Sequence, residues 1–221
     1  MAITATTARH DVFGVSGGTT TGVDTSSYTA LVVVLDYYKA GGANLSDSNS
    51  NTWTKVADGI DASTNCASTM YYCDAPTVGG GHTFTTTSQY CGVTVIGITG
   101  EATSFYDTST GRGGYDAAPY TTFQPGSVTP SVNDCLIITS AYQAAPTGGV
   151  TTPSGYTSLA NWAFGTAFPG GVAYKIQGTA AAENPTWGVS ATSNVAANIA
   201  VFKPSTSGSS RRNRLTLLGV A

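Results

Sequence analysis

Charge is what this sequence has least of. Only 10% of its residues are charged, against about a quarter in an average soluble chain. Lys and Glu are especially few, and Glu occurs only at Glu101 and Glu183, which excludes the long exposed helices those residues favour. His occurs twice, as His10 and His82. The four cysteines (Cys66, Cys73, Cys91, Cys135) form no C-x-x-C pair, so a zinc site is not expected. No apolar run approaches the ~18–20 residues of a membrane-crossing helix. The first ten residues, Met1 to His10, lack the apolar stretch of a signal peptide, so none is expected. Three of the nine basic residues, Arg211, Arg212 and Arg214, lie in the last eleven positions. The remainder carries six basic against twelve acidic residues, which excludes a nucleic-acid surface there.

Catalytic signatures are also missing. There is no G-x-S-x-G nucleophile elbow. Val78-Gly79-Gly80-Gly81 is followed by neither a helix nor a Lys-Ser/Thr pair, so it is not a phosphate loop. Glu101 and Glu183 sit in no acidic cluster of the kind that hydrolyses sugars. Asp47-Ser48-Asn49-Ser50-Asn51 has the spacing that opens a calcium loop, and Asp58 falls twelfth from Asp47. However, Thr52 stands where such a loop needs Gly, and a polar hairpin loop is the favoured reading. No catalytic residue, cofactor or metal is therefore expected.

What is present reads as β-structure. Thr is abundant, Gly numbers 27 and hydrophobic residues make up 41%. Thr suits a pleated surface and Gly suits turns. The continuous apolar run within Tyr28–Tyr38 is expected to be a core strand. Shorter strands follow near 52–57, 67–73, 82–87 and 92–99, after a first strand near 8–15. Much of this recurs. Leu31-Val32-Val33-Val34 is answered by Leu136-Ile137-Ile138-Thr139, and Tyr37 by Tyr142, 105 residues on. Trp53, Tyr71 and Phe84 are answered by Tyr156, Tyr174 and Trp187, each 103 residues on. Two related halves, about 28–100 and 133–204, are expected, joined by a long connection over 100–133.

The fold expected is all-β: a two-sheet antiparallel β-sandwich of jelly-roll type with an internal two-fold repeat, one domain over 1–204. Two tandem Ig-like domains are the alternative. Aromatics matched between the halves are assigned to the core. Unmatched Trp162, with Tyr106, Tyr115 and Tyr120 in the connection, are the candidate surface contacts. Cys73 and Cys135 match apolar positions and are expected to be buried. A Cys66–Cys73 or Cys73–Cys91 disulfide is open if the chain matures in an oxidising place. Residues 205–210 read as a Ser/Gly linker. Residues 211–221 read as a basic-apolar tail, with Arg211, Arg212, Arg214, Leu215, Leu217, Leu218 and Val220 as candidate docking residues.

The strand and turn signatures Leu31-Val32-Val33-Val34, Asp47…Trp53-Thr54, Met70-Tyr71-Tyr72 and Gly79-Gly80-Gly81-His82-Thr83-Phe84-Thr85 resemble jelly-roll proteins of tailed bacteriophages, over roughly 28–204. The ending Arg211-Arg212-Asn213-Arg214-Leu215…Val220 is similar to the C-terminal tags of phage structural proteins. The resemblance implies a non-enzymatic virion component: capsid decoration or cement, head fibre or tail piece. It would be made in the host cytoplasm and partnered by other virion proteins and copies of itself. The alternative is a carbohydrate- or receptor-binding module that meets a host-surface glycan, with an exposed aromatic strip around Trp162. Neither reading involves nucleic acid or membrane.

Overall fold

A computed structural model describes residues 2–38, 44–61, 63, 65–144 and 148–205, with backbone alone at 57, 115–119 and 191–193. The described residues contain strands and no α-helix, hence no helix able to cross a membrane. The first half holds β1 (Thr4–Phe13), β2 (Gly18–Thr19), β3 (Ala30–Tyr38), β4 (Leu45–Asp47), β5 (Thr54–Ile60), β6 (Cys66–Asp74), β7 (Phe84–Thr86) and β8 (Gln89–Thr99). The second holds β9 (Glu101–Phe123), β10 (Cys135–Gln143), β11 (Val150–Thr151), β12 (Thr157–Phe164), β13 (Ala167–Gln177) and β14 (Trp187–Pro204).

The strand order gives the fold. In the first half one sheet runs β1-β8-β3-β6-β5 and a smaller one runs β2-β7-β4, with every pairing antiparallel. Seven of the eight strands, with β1-β8-β3-β6 facing β2-β7-β4, follow the jelly-roll course, and β5 extends the large sheet beside β6. The second half makes the same course with fewer, longer strands. Its large sheet runs β14-β10-β13-β12, with β9 on the other side of β14. The far end of β9 and the near end of β14 serve as the small sheet, where Phe123 faces Trp187 and Val150 of β11 faces Val189. The isolated bridge Val23–His82 has its counterpart in Val128–Glu183. The stretch 100–133, expected as a connection, is therefore mostly a 23-residue strand. It pairs with β14 as β1 pairs with β8.

Alternation along β3 explains why its sequence is apolar without a break from Ala30 to Leu35. Ala30, Val32 and Val34 point into a cluster shared with Leu136, Ile138, Val172, Ala200 and Phe202 of the other half. Leu31, Val33, Leu35 and Tyr37 point the opposite way, onto Phe84, Leu45 and Trp53. Both faces are dry, so the strand cannot alternate apolar with polar. β10 is buried along its whole length for the same reason. The large sheets thus pack face to face, and each outer face is covered by its own small layer. Phe84 and Trp187 are fully buried in those outer layers, each contributing on the order of 2–3 kcal/mol of burial. The Trp187 indole donates to Thr139 Oγ1 at 3.1 Å, which leaves no orphaned donor.

The two halves also close on each other at their edges, in two different ways. On one side β5 lies against β9. A methyl group on Gly113 would sit 2.0 Å from the Ile60 carbonyl, and one on Gly59 2.2 Å from the Ala197 carbonyl. Gly111 faces Asp58 in the same manner. On the other side, β12 lies beside β1, and Trp162 fills the gap over Gly92 and Gly170. Thr7 Oγ1 also donates to the Leu159 carbonyl there, at 2.8 Å.

These glycines give a direct check on the packing. Gly113→Ala should lower unfolding stability by about 1–3 kcal/mol, the usual cost of overpacking. Gly80→Ala, whose new methyl meets nothing within 4 Å, should stay within about 0.5 kcal/mol of the parent. Thermal melts of the two variants that cannot be told apart would disprove the close approach of β5 and β9.

Candidate functional site

Among the described residues, Thr25, His82 and Asp47 are arranged like a nucleophile, base and acid. Thr25 Oγ1 lies 3.0 Å from His82 Nδ1, and His82 Nε2 lies 3.3 Å from Asp47 Oδ1. The second contact is an ion pair in distance but not aligned as a hydrogen bond. Thr25 and His82 are fully buried, as is the Asp47 side chain. The Thr25 hydroxyl donates to the Gly79 carbonyl and accepts from the Gly79 N–H, so it has no free direction for attack. Asp47 also receives the Trp53 indole at 2.6 Å and the Asn49 and Asn51 backbone amides. Burial pushes its carboxyl up, and these hydrogen bonds outweigh that and hold it below its ordinary range. The set ties three loops together, since no substrate atom can reach it. The same residues include the calcium-like spacing that opens at Asp47. Both Asp47 oxygens are taken by donors, Asp58 pairs with Lys55, and no cluster of three metal-ligating side chains occurs among the described residues.

A second polar group lies between the large sheets. Ser68 Oγ is 2.5 Å from Asp36 Oδ1 and 2.5 Å from Ser140 Oγ. Ser140 Oγ is 3.0 Å from Asn198 Oδ1, and Asn198 Nδ2 donates back to Ser68 Oγ. Asp36 and Ser68 belong to one half, Ser140 and Asn198 to the other. The three oxygen–oxygen contacts need three protons, and two serines supply only two. A proton on Asp36 supplies the third. Burial agrees: it pushes the Asp36 carboxyl up to about 8, against the pull of Ser68 and Ser140. Nearer the rim, Asn194 Nδ2 donates to Asp61 Oδ2 at 2.7 Å and to Ser63 Oγ, a second polar tie between the halves.

The surface-contact candidates divide. Trp162 is 7% exposed, stacked on Tyr142 with ring centres 5.6 Å apart and beside His10. It is the one buried side chain of β12, aimed between the sheets by strand alternation. Trp162 is thus part of the packed interior and not a surface contact, and its lack of a counterpart reflects the different closure of the two edges. Tyr106 stacks on Tyr72 at 5.4 Å and packs against the shared core. Tyr115 pairs through its backbone with Asn194. Tyr120 is half-buried and meets Phe123 edge-on. The docking residues Arg211, Arg212, Arg214, Leu215, Leu217, Leu218 and Val220 lie outside the described residues. All four cysteines are free and buried. Cys66 and Cys73 stand at opposite ends of β6, about 20 Å apart at the rise of a strand and far beyond disulfide reach. Burial raises the thiol of Cys73 to about 11, which keeps it protonated and inert. Glu101, at the start of β9, accepts from Thr29 of the first half, and Glu183 accepts from Lys175 and Tyr156 within the second.

Two features escaped sequence reasoning. One is an aromatic cap at an end of the molecule, where Tyr90 stacks on Phe168 at 4.7 Å with Tyr38 and Phe164 alongside. Tyr90 and Phe168 hold φ of 43° and 52°, a strained setting for bulky residues. The other is a cavity of about 280 Å³ lined by Arg112, Tyr120, Thr122, Phe123, Gln124 and Thr186. Arg112 lies over the Phe123 ring at 5.2 Å. Its signal was Gly111-Arg112-Gly113-Gly114, which reads as a loop but is a strand with glycine on both faces.

No family model matches this chain, and no curated protein matches it. A solved structure described as Red Clover Necrotic Mosaic Virus aligns over 95% of this chain and 99% of that one, at 10% identity and a TM-score of 0.25. A likeness that slight carries no argument about fold or function.

The Asp36 proton is measurable through stability. The carboxyl is raised in the folded chain and ordinary in the unfolded one. Its contribution is therefore fully present below about pH 4 and lost as pH rises to about 8. Within that window the loss should be about 1.4 kcal/mol per pH unit. Asp36→Asn should remove this slope. Urea titrations from pH 5 to 8 that give equal slopes for parent and variant would show that Asp36 is ionised in the folded protein.

Proposed function

We propose that this chain is a non-enzymatic virion structural protein: a surface-exposed particle component of the capsid decoration or cement kind, held in place by its C-terminal tail. The observation that carries this reading is the layering. Two jelly-roll halves share one dry core, and each covers its own outer face. The polar sets able to do chemistry, Thr25–His82–Asp47 and Asp36–Ser68–Ser140–Asn198, are sealed inside and act as ties. A body of this kind resists opening and offers its ends, edges and tail for contact. The phage-like sequence signatures and the basic-apolar ending support the same assignment. Its partners are then other virion proteins and copies of itself, and its place is the particle.

The tail is a cation-bearing segment on an acidic body, suited to carboxylates on a neighbour and to strand addition through its apolar end. Deletion of Arg211–Ala221 should leave the melting temperature of the sandwich within about 2 °C, the usual size of a change outside the fold, while lowering occupancy on particles. Normal occupancy of the truncated protein, quantified on purified particles, would overturn the tail as the anchor.

A further inference from the structure

We propose that the groove beside Arg112 is a binding site for an acidic saccharide, a sugar ring carrying a carboxylate. The site is independent of the virion assignment, since it rests on the groove alone. Its construction begins with the glycines. Gly111 and Gly113 face the backbone of β5, so Arg112 and Gly114 face the other way. A methyl group on Gly114 would sit 2.7 Å from the Phe123 ring and 3.0 Å from the Tyr120 ring. Glycine there lets both rings settle onto the strand, and Arg112, two residues earlier on the same face, stacks over Phe123 at 5.2 Å. The guanidinium is thus placed over the ring, and its N–H groups can meet a planar anion. Among the described residues no carboxylate pairs with it, although Arg9, Lys55 and Lys175 are all paired. An exposed cation held in a fixed place and left unpaired is a binding group in search of an anion.

The other lining groups decide which anion. The Gln124 amide nitrogen donates to the Asn184 carbonyl at 3.2 Å and to Thr186 Oγ1 at 2.8 Å. Both amide protons are used, so Oε1 is left to accept. Thr186, having accepted from Gln124, has its hydroxyl proton free to donate, and Thr122 adds a second hydroxyl. Tyr120 supplies aromatic surface. One cation, one fixed acceptor, two hydroxyls and an aromatic ring suit a carboxylate, several hydroxyls and a C–H face on one small ring. The volume, about 280 Å³, stands at the lower end of the range for small-molecule sites and fits a single ring. A peptide carboxylate would satisfy Arg112 but leave the hydroxyl-bearing wall unmatched.

The test uses the full chain and three probes followed by saturation-transfer NMR: D-glucuronate, D-glucose and acetyl-dialanine. Glucuronate should bind with a dissociation constant on the order of millimolar. Glucose should bind about tenfold more weakly or worse, the size of one charge-assisted contact. Arg112→Gln should cost glucuronate a similar factor, and Tyr120→Ala should weaken both sugars. Both positions are at least partly exposed, and unchanged melting curves would show that the variants fold. No transfer to glucuronate, or equal binding by Arg112→Gln, overturns the proposal. Stronger binding of acetyl-dialanine than of glucuronate also overturns it, and gives the groove to peptide termini.

Discussion

Two strands, β3 and β10, are dry on both faces, and the rest of the molecule follows from keeping them so. A strand that is apolar throughout cannot lie at a surface, and a single sandwich would cover only one of its sides. The chain answers by packing the two large sheets against each other and laying a short three-stranded layer outside each. That arrangement accounts for the aromatic pairs. Phe84 and Trp187 are fully buried because they are the keystones of the outer layers, while Val32, Val34, Leu136 and Ile138 fill the shared core. It also accounts for the low charge. With so many faces buried, polar side chains on internal strands must find partners within the fold, and Asp36, Ser68, Ser140 and Asn198 do so across the sheet interface.

The two halves follow one plan, yet their edges meet differently. Where β5 meets β9, glycines at 59, 111 and 113 let backbones touch. Where β12 meets β1, Trp162 holds the strands apart and glycines at 92 and 170 receive its ring. Two edges with equal spacing would have asked for the same residue at Gly59 and Trp162. The molecule is therefore only approximately two-fold, and the departure is concentrated at residues that the repeat could not pair.

Much of the architecture was legible in the sequence. The apolar runs at Leu31 and Leu136 and the recurring aromatics indicated an all-β sandwich, and the burial of Cys73 and Cys135 was expected from their apolar counterparts. Strand ends were less legible. β14 runs unbroken from Trp187 to Pro204, because no turn residue is needed where a long strand passes from the small layer to the large one. The segment 100–133, read as a long connection, holds the strand Glu101–Phe123, which its glycines obscure because they look like loop residues. They are strand residues whose missing side chains make room for β5, a reason visible only once the second strand is in place. Trp162 was misassigned for a similar reason. Lacking a counterpart, it looked available to a partner, but the asymmetry of the edges had already used it. The polar ties were invisible in advance, since Asp36 and Asn198 lie 162 positions apart in the chain.

What the fold has used internally defines what it has left for contact. Buried Thr25, His82 and Asp47 hold loops, the cysteines are sealed, and three of the described cations are neutralised by neighbouring carboxylates. Arg112 and Lys203 are the described cations without such a pair. Of these, Arg112 lies over an aromatic ring in a groove whose amide and hydroxyls have defined free valences. A surface this poor in charge makes each unpaired charge more informative than it would be on an average protein. Few other groups compete for an approaching anion, and the water-exposed threonines around it repel nothing. The alternating glycines that bring β9 onto β5 are also what turn Arg112 outward. The close packing of the two halves and the groove therefore have a single structural origin.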